Sequence, residues 1–153
     1  MRRFAAGSVL AAALAACGEP PAAGDDARAD PRDAARVALG AKLYARHCAA
    51  CHGTRLEGQA GWRIRLPNGR MPAPPHDESG HTWHHADEVL FSITKHGLLP
   101  PYAPRDYQSD MPGFAGTLSD DEIWAALAYI KSHWNSRDLL AARAEMLQGA
   151  RKR

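Results

Sequence analysis

The sequence predicts an all-α domain. Apolar residues recur at helical spacing in three segments, over about residues 33–49, over about residues 86–96 and from Ser119 onward. No segment alternates apolar and polar residues as a half-buried strand would, and no internal repeat is present. A chain of 153 residues, of which 45% are hydrophobic, suits one globular domain with extensions.

The first predicted helix has its apolar positions at Val37, Leu39, Leu43 and Tyr44. Gly40 lies inside this helix, where a glycine costs about 1 kcal/mol relative to alanine. A glycine at such a position usually has a packing reason. We therefore expect another helix to approach Gly40 closely.

The other two helices have clear terminal signals. The second helix ends at Gly97, a residue type that commonly terminates helices. The third begins with Ser119-Asp120-Asp121-Glu122, a capping box in which the serine and glutamate side chains bond two free backbone amides. Its apolar residues follow at Ile123, Trp124, Leu127, Ile130 and Trp134. Residues 136–153 are expected to form a basic, mildly amphipathic helical tail.

The N-terminal residues resemble a bacterial export signal. A basic start precedes an apolar run that is too short to span a bilayer. Leu14-Ala15-Ala16-Cys17 resembles the lipoprotein box, which implies cleavage of residues 1–16 and lipid attachment at Cys17. Residues 17–32 are rich in Pro, Gly and Asp, so we expect a disordered tether. The alternative is an ordinary signal peptide and a soluble periplasmic protein.

The strongest chemical signal is Cys48-Ala49-Ala50-Cys51-His52. Two thiols with two residues between them can each add across one vinyl group of the same haem, and the following histidine can bind the iron. A CxxC pair can also be a thiol redox centre or half of a zinc site. The chain has no second pair and no βαβ pattern, so we predict one covalent haem c on Cys48 and Cys51 with His52 as an axial ligand.

The second axial ligand is predicted to be a methionine. Met111 lies in a proline-bounded loop just before the capped helix, where Pro112 and Gly113 would stiffen the chain. Met71 is the competitor, because it also precedes a proline in a loop. Its shorter separation from His52 leaves fewer residues to cross to the far face of the haem. Met111 is therefore the preferred ligand.

Together these segments resemble a small class I cytochrome c, a mostly helical single-haem electron carrier. The resemblance rests on residues 40–53, which fit the first helix and haem motif, and on residues 110–123, which fit the methionine loop and last helix. It implies three or more helices wrapped around one covalently attached haem, and we place this domain at residues 33–135.

The resemblance also implies two contacts within the domain. The first and last helices of the family cross closely, so Gly40 and Tyr44 would meet the Ala128-Tyr129 face. Pro67 would supply the backbone carbonyl that holds the second nitrogen of His52.

The loop at residues 76–85 departs from this pattern, because it holds four histidines together with Asp77 and Glu78. Such a set could bind copper or zinc. The candidate ligands of this possible second metal site are His81, His84 and His85. The other interpretation is a structural loop whose histidines cap a helix or bond a haem propionate.

The composition limits the partners. A formal net charge of +2 gives no basic bias of the kind that nucleic-acid binding needs. We expect an electron carrier, not an enzyme, without a small-molecule substrate, serving redox proteins of the respiratory chain or periplasm from a lipid anchor. Basic residues on segments expected to rim the haem could steer an acidic partner: Arg46, Arg55, Arg63, Arg65, Arg70 and Lys95. The rival functions are a haem sensor or enzyme with an open distal site and a copper- or zinc-binding protein.

Overall fold

The computed structural model describes residues 27–105 and 107–152. Its helices are a 3₁₀ helix at Ala27–Ala29, α1 at Ala34–His47, α2 at Ala49–His52, a 3₁₀ helix at Thr82–His84, α3 at Asp87–His96, α4 at Asp120–Lys131 and α5 at Arg137–Arg151. The described residues contain no strand, which confirms the all-α prediction. Within them, no helix has the length and apolar character needed to cross a bilayer. The predicted signal peptide and Cys17 lie outside the described residues.

Helix α4 forms the centre of the domain. Ile123, Trp124 and Ala125 are almost fully buried, and helix α1 crosses directly over them. The capping box at the start of α4 is present, since Ser119 and Glu122 each bond the other's backbone amide. This local signal therefore fixes where the most buried helix begins.

The crossing of α1 and α4 occurs at Gly40, as expected. A Cβ atom built on Gly40 would overlap the carbonyl oxygen of Ala125 and lie 2.8 Å from the Cβ atom of Tyr129. The Tyr44 and Tyr129 rings pack beside this point, with centroids 5.3 Å apart. The glycine lets the two helix backbones touch, and the two tyrosines fill the space next to them.

Residues before the predicted domain boundary at Asp33 also pack on the domain. We expected residues 17–32 to be a disordered tether, but residues 27–29 form a 3₁₀ helix that packs on α4. Ala29 is completely buried, and the Arg28 guanidinium lies 4.2 Å from the centroid of the Trp124 ring. A small side chain and a cation–π contact thus anchor a segment that has no large apolar residue.

The C-terminal tail is a separate helix, α5, docked by a buried arginine. Arg143 is 1% exposed, and its guanidinium donates to the carbonyl oxygens of Trp83 and His85, each at 2.6 Å. It also donates to Oδ1 of Asp87 at 2.8 Å, while Lys131 Nζ donates to Oδ2 of the same carboxylate at 2.6 Å. This ion-pair cluster, made of Asp87, Lys131 and Arg143, joins α3, α4 and α5.

Candidate haem site

The two thiols of the haem motif lie on one helical turn. The backbone amides of Cys51 and His52 donate to the Cys48 carbonyl oxygen at 3.1 and 2.9 Å. Residues three apart on a helix are neighbours on one face, so both sulfur atoms can reach a single planar macrocycle. Cys48 is partly buried and Cys51 is exposed, and neither is in a disulfide.

Cys48 lies in an environment that favours the neutral thiol. Burial, with a smaller contribution from the nearby Cys51, raises the pKa of the Cys48 thiol to about 11. Reactive redox cysteines have the opposite property, a lowered pKa that gives a thiolate at neutral pH. A neutral thiol positioned to add across a vinyl group is compatible with this environment.

His52 is held in the orientation that an axial ligand needs. Its Nδ1 atom lies 2.8 Å from the carbonyl oxygen of Pro74, so Nδ1 carries the proton and Nε2 keeps its lone pair for a metal. The Tyr44 hydroxyl donates to the carbonyl oxygens of His52 and Gly53 at 3.3 and 3.0 Å. Burial lowers the pKa of His52, partly opposed by the bond to Pro74, which favours the neutral ring that binds iron.

The family resemblance implied that the Pro67 carbonyl holds His52. In the structure, the carbonyl of Pro74 does so instead. Gln59 pairs with Ala73 through two hydrogen bonds of 2.9 and 2.8 Å, which closes the intervening residues into a loop. A Cβ atom on Gly58 would lie only 2.7 Å from the Pro74 carbonyl carbon. Pro67 is exposed within the closed loop, whereas Pro74 follows directly after Ala73, where the loop closes, and so lies next to the histidine.

Met111 is partly buried in a loop fixed at both ends. Its backbone amide donates to Ser109 Oγ at 3.0 Å, and the Phe114 amide donates to the Thr94 carbonyl of α3 at 3.0 Å. The residue lines a cavity of about 280 Å³ together with Arg70 and Tyr107. The loop therefore presents the methionine from a defined backbone next to open space.

Met71 lies on a segment that touches the Met111 loop. The preceding residue, Arg70, donates to the carbonyl oxygen of Ser109 at 3.1 Å and to the carboxylate of Asp110 at 2.5 Å. Met71 is also partly buried. The two candidate methionines therefore lie on neighbouring segments. The only geometric reason to prefer Met111 over Met71 as the axial ligand is that the Met111 loop is anchored at both ends.

Two buried indole nitrogens lack a hydrogen-bond acceptor in the part of the chain that the structure describes. Nε1 of Trp83 and Nε1 of Trp124 are buried and have no hydrogen-bond partner among the described residues. Leaving such a donor unpaired costs about 1–3 kcal/mol. The propionate oxygens of a haem are acceptors of the kind that these two donors lack.

The comparison with protein families agrees with this geometry. The model of the cytochrome c family matches residues 37–134. The chain belongs to the cytochrome c family. Family membership implies covalently attached haem c and makes the chain a haem electron carrier. Cys48 and Cys51 have the spacing that this attachment requires.

Two curated relatives are both named cytochrome c6, from Thermosynechococcus vestitus and Thermostichus vulcanus. Each is 28% identical to this cytochrome over 97 residues, which cover 63% of the chain and 70% of the relative. No solved structure gives a significant match.

The histidine-rich loop of this cytochrome does not assemble the possible second metal site. His81 stacks on Trp62 with ring centroids 5.3 Å apart, and His84 packs against Trp83 at 3.8 Å. His85 meets His81 edge to face at 5.6 Å. Across residues 27–105 and 107–152, no group of three or more His, Cys, Asp or Glu side chains could hold a metal ion. Aromatic contacts occupy His81, His84 and His85 instead.

His76 from the same loop occupies a position that the sequence did not indicate. Its ring is stacked on the His52 ring, with centroids 3.8 Å apart and an interplanar angle of 18°. Burial lowers the pKa of His76 well below its ordinary value, with smaller contributions from His52 and His81. Only the assignment of Pro74, two residues earlier, would have placed His76 beside His52.

Proposed function

We propose that this cytochrome c is a membrane-tethered electron carrier with Cys48 and Cys51 bound to the haem and with His52 and Met111 as the axial ligands. The hydrogen bond from His52 Nδ1 to the Pro74 carbonyl carries this assignment, because it places the proton on Nδ1 and leaves the Nε2 lone pair free to bind a metal. The chain passes an electron from a donor protein to an acceptor and changes no bond in a substrate.

The bound haem supplies a one-electron couple between ferrous and ferric iron. The protein sets the conditions for that couple. His52, only 8% exposed, is kept neutral and oriented, and the thioether of Met111 would favour the reduced iron and so raise the potential. With both residues bound, the iron would keep the same ligands when its charge changes, which suits electron transfer better than an open position.

The tether acts through the local concentration of the carrier. The sequence of residues 14–17 supports lipid attachment at Cys17, and residues 18–26 separate that point from the first helical turn. A carrier held at a membrane surface meets membrane-bound redox partners at a high effective concentration. On this proposal the protein is exported and lies on the periplasmic side of the membrane.

An acidic partner suits the exposed loop that contains Arg63, Ile64 and Arg65. Ile64 is 71% exposed, and the flanking arginines have no acidic partner among the described residues. Arg55, Arg70 and Lys95 instead pair with Glu57, Asp110 and Asp120. An apolar centre between unpaired cations matches a partner surface with an apolar centre and acidic rim.

Absorption spectra of the full-length exported protein test the ligand assignment. Wild type should be low-spin when oxidised and when reduced, and it should bind carbon monoxide slowly. Met111→Ala should turn the spectrum high-spin, while the matched variant Met71→Ala should leave it unchanged. A spectrum altered only by Met71→Ala would reverse the ligand assignment. A high-spin wild type that binds carbon monoxide rapidly would instead indicate a sensor or enzyme with an open distal site.

Metabolic labelling with radioactive palmitate tests the tether separately. The mature wild-type protein should carry label and sediment with membranes, and Cys17→Ala should carry none. An unlabelled wild-type protein in the soluble periplasmic fraction would contradict the anchor while leaving the haem assignment intact.

A further inference from the structure

We propose that His76 is a positioning residue that fixes the plane of the His52 imidazole by stacking on it. The two rings are nearly parallel, at 18°, with centroids 3.8 Å apart. The inference rests on the proposed function in one respect, namely that His52 binds the haem iron. It goes further because it assigns control of the orientation of that ligand to a second histidine.

The hydrogen bond from His52 to Pro74 does not define the ring plane by itself. One bond at Nδ1 restrains the position of that atom, but the two side-chain torsion angles can still change together and tilt the ring while the bond is kept. A flat group packed against one face of the imidazole removes this tilting. Groups outside the first coordination shell commonly orient a metal-bound histidine in this way.

The backbone of His76 is held firmly enough to serve as such a reference. Its amide donates to the carbonyl oxygen of Leu56 at 2.8 Å, and its carbonyl accepts a bond of 3.0 Å from Trp134 Nε1. Leu56 and Trp134 are both buried, with 1% and 4% exposure. The stacking ring therefore projects from a backbone segment tied to two parts of the core.

The backbone segment that holds His76 includes a strained residue, Leu56. Leu56 has a φ of +67°, a left-handed conformation that a bulky residue rarely adopts. Its carbonyl oxygen accepts from the amides of both His76 and Asp77. The strained turn thus supplies the acceptor that places His76 over the ligand.

A side chain that only filled space would not have the same effect. The His76 ring also meets the Tyr44 ring at a steep angle, with centroids 6.0 Å apart and an interplanar angle of 65°, so the imidazole is confined between the rings of His52 and Tyr44. Nδ1 of His76 is buried without a partner among the described residues, which an apolar residue of similar size would avoid. The presence of a histidine at this position indicates that a flat ring is needed to pack against the face of the His52 imidazole.

Two substitutions in the full-length holoprotein separate flatness from volume. His76→Phe keeps a flat ring, and His76→Leu keeps bulk without one. The proton NMR shifts of the haem methyl groups in the oxidised protein report the plane of the axial imidazole. We expect His76→Leu to redistribute these shifts and His76→Phe to retain the wild-type order, with low-spin absorption in both. Shifts that stay unchanged in His76→Leu, or change equally in both variants, would overturn the inference.

A measurement on the wild-type protein tests the stacking even if a variant fails to fold. In the reduced protein, the ring protons of His52 and His76 should show nuclear Overhauser contacts with each other, and their absence would refute the stacking. A high-spin wild-type spectrum would instead signal failure of the proposed function. The two failures are therefore distinguishable.

Discussion

Gly40 of α1 lies against the carbonyl group of Ala125 in α4, and no space for a methyl group remains between them. The contact sets the separation of the two helices at their crossing. Helix α1 ends at His47, immediately before the cysteine pair, so this crossing also places the haem motif relative to the core.

Replacing Gly40 with alanine should destabilise the protein although alanine is the better helix former. The added methyl group overlaps backbone atoms of α4, and overpacking of this kind costs about 1–3 kcal/mol. Gly149 in α5 is the matched control, because nothing lies within 4 Å of a Cβ atom built there. Chemical denaturation should show a lower free energy of unfolding for Gly40→Ala than for wild type, and no such decrease for Gly149→Ala. Equal effects would mean that the helices do not touch at Gly40.

Removing the carboxylate of Asp87 should be far more costly than removing that of Asp120. Each aspartate is the first residue of its helix and pairs with a lysine, but Asp87 is fully buried and the Asp120 side chain is 59% exposed. Asp87→Asn leaves Lys131 and Arg143 buried without that charge, at a cost of about 3–5 kcal/mol. Asp120→Asn should cost less than about 1 kcal/mol.

Urea denaturation of both variants measures this difference. Because Arg143 belongs to α5, Asp87→Asn should also increase hydrogen exchange throughout α5, which Asp120→Asn should not do. Similar stabilities for the two variants would show that the ion-pair cluster does not form in solution.

The capping box predicts a dependence of stability on acid. Hydrogen bonds from the Ser119 backbone amide, then from its side chain, lower the pKa of Glu122 below its ordinary value of 4.5. The Glu122 carboxyl group therefore binds its proton more tightly in the unfolded chain than in the folded one. The stabilisation of the folded state by the ionised carboxylate is complete above about pH 4.5 and is lost as the pH falls through the folded-state pKa.

Glu122→Gln measures that contribution by difference. The gap in melting temperature between wild type and Glu122→Gln should be largest near neutral pH and should narrow as the solution becomes strongly acidic. A gap that stays constant over this range would show that the carboxylate does not accept these bonds.

The elements that could be predicted from the sequence are those with local signals. Ser119 and Glu122 define the start of α4 within four residues, and Gly40 indicated a close helix crossing before the partner was known. The haem motif is equally local, since its thiols and histidine occupy one turn. Each of these depends on spacing along the chain, which the sequence states directly.

The features that the sequence did not reveal depend on contacts between residues that are far apart along the chain. Pro67 and Pro74 are equivalent as sequence signals, and only the pairing of Gln59 with Ala73 decides which carbonyl reaches His52. Arg143 looked like part of a solvated basic tail, but its acceptors come from the segment around α3 and converge only in the folded chain. Long-range hydrogen bonds of this kind leave no periodic pattern.

The most direct test of the account is the intact mass of the mature, exported protein combined with acid–acetone extraction. We predict a polypeptide heavier by one haem, with the red colour remaining in the protein precipitate because two thioether bonds hold it. A colourless protein, or a haem that passes completely into the acetone, would contradict covalent attachment at Cys48 and Cys51.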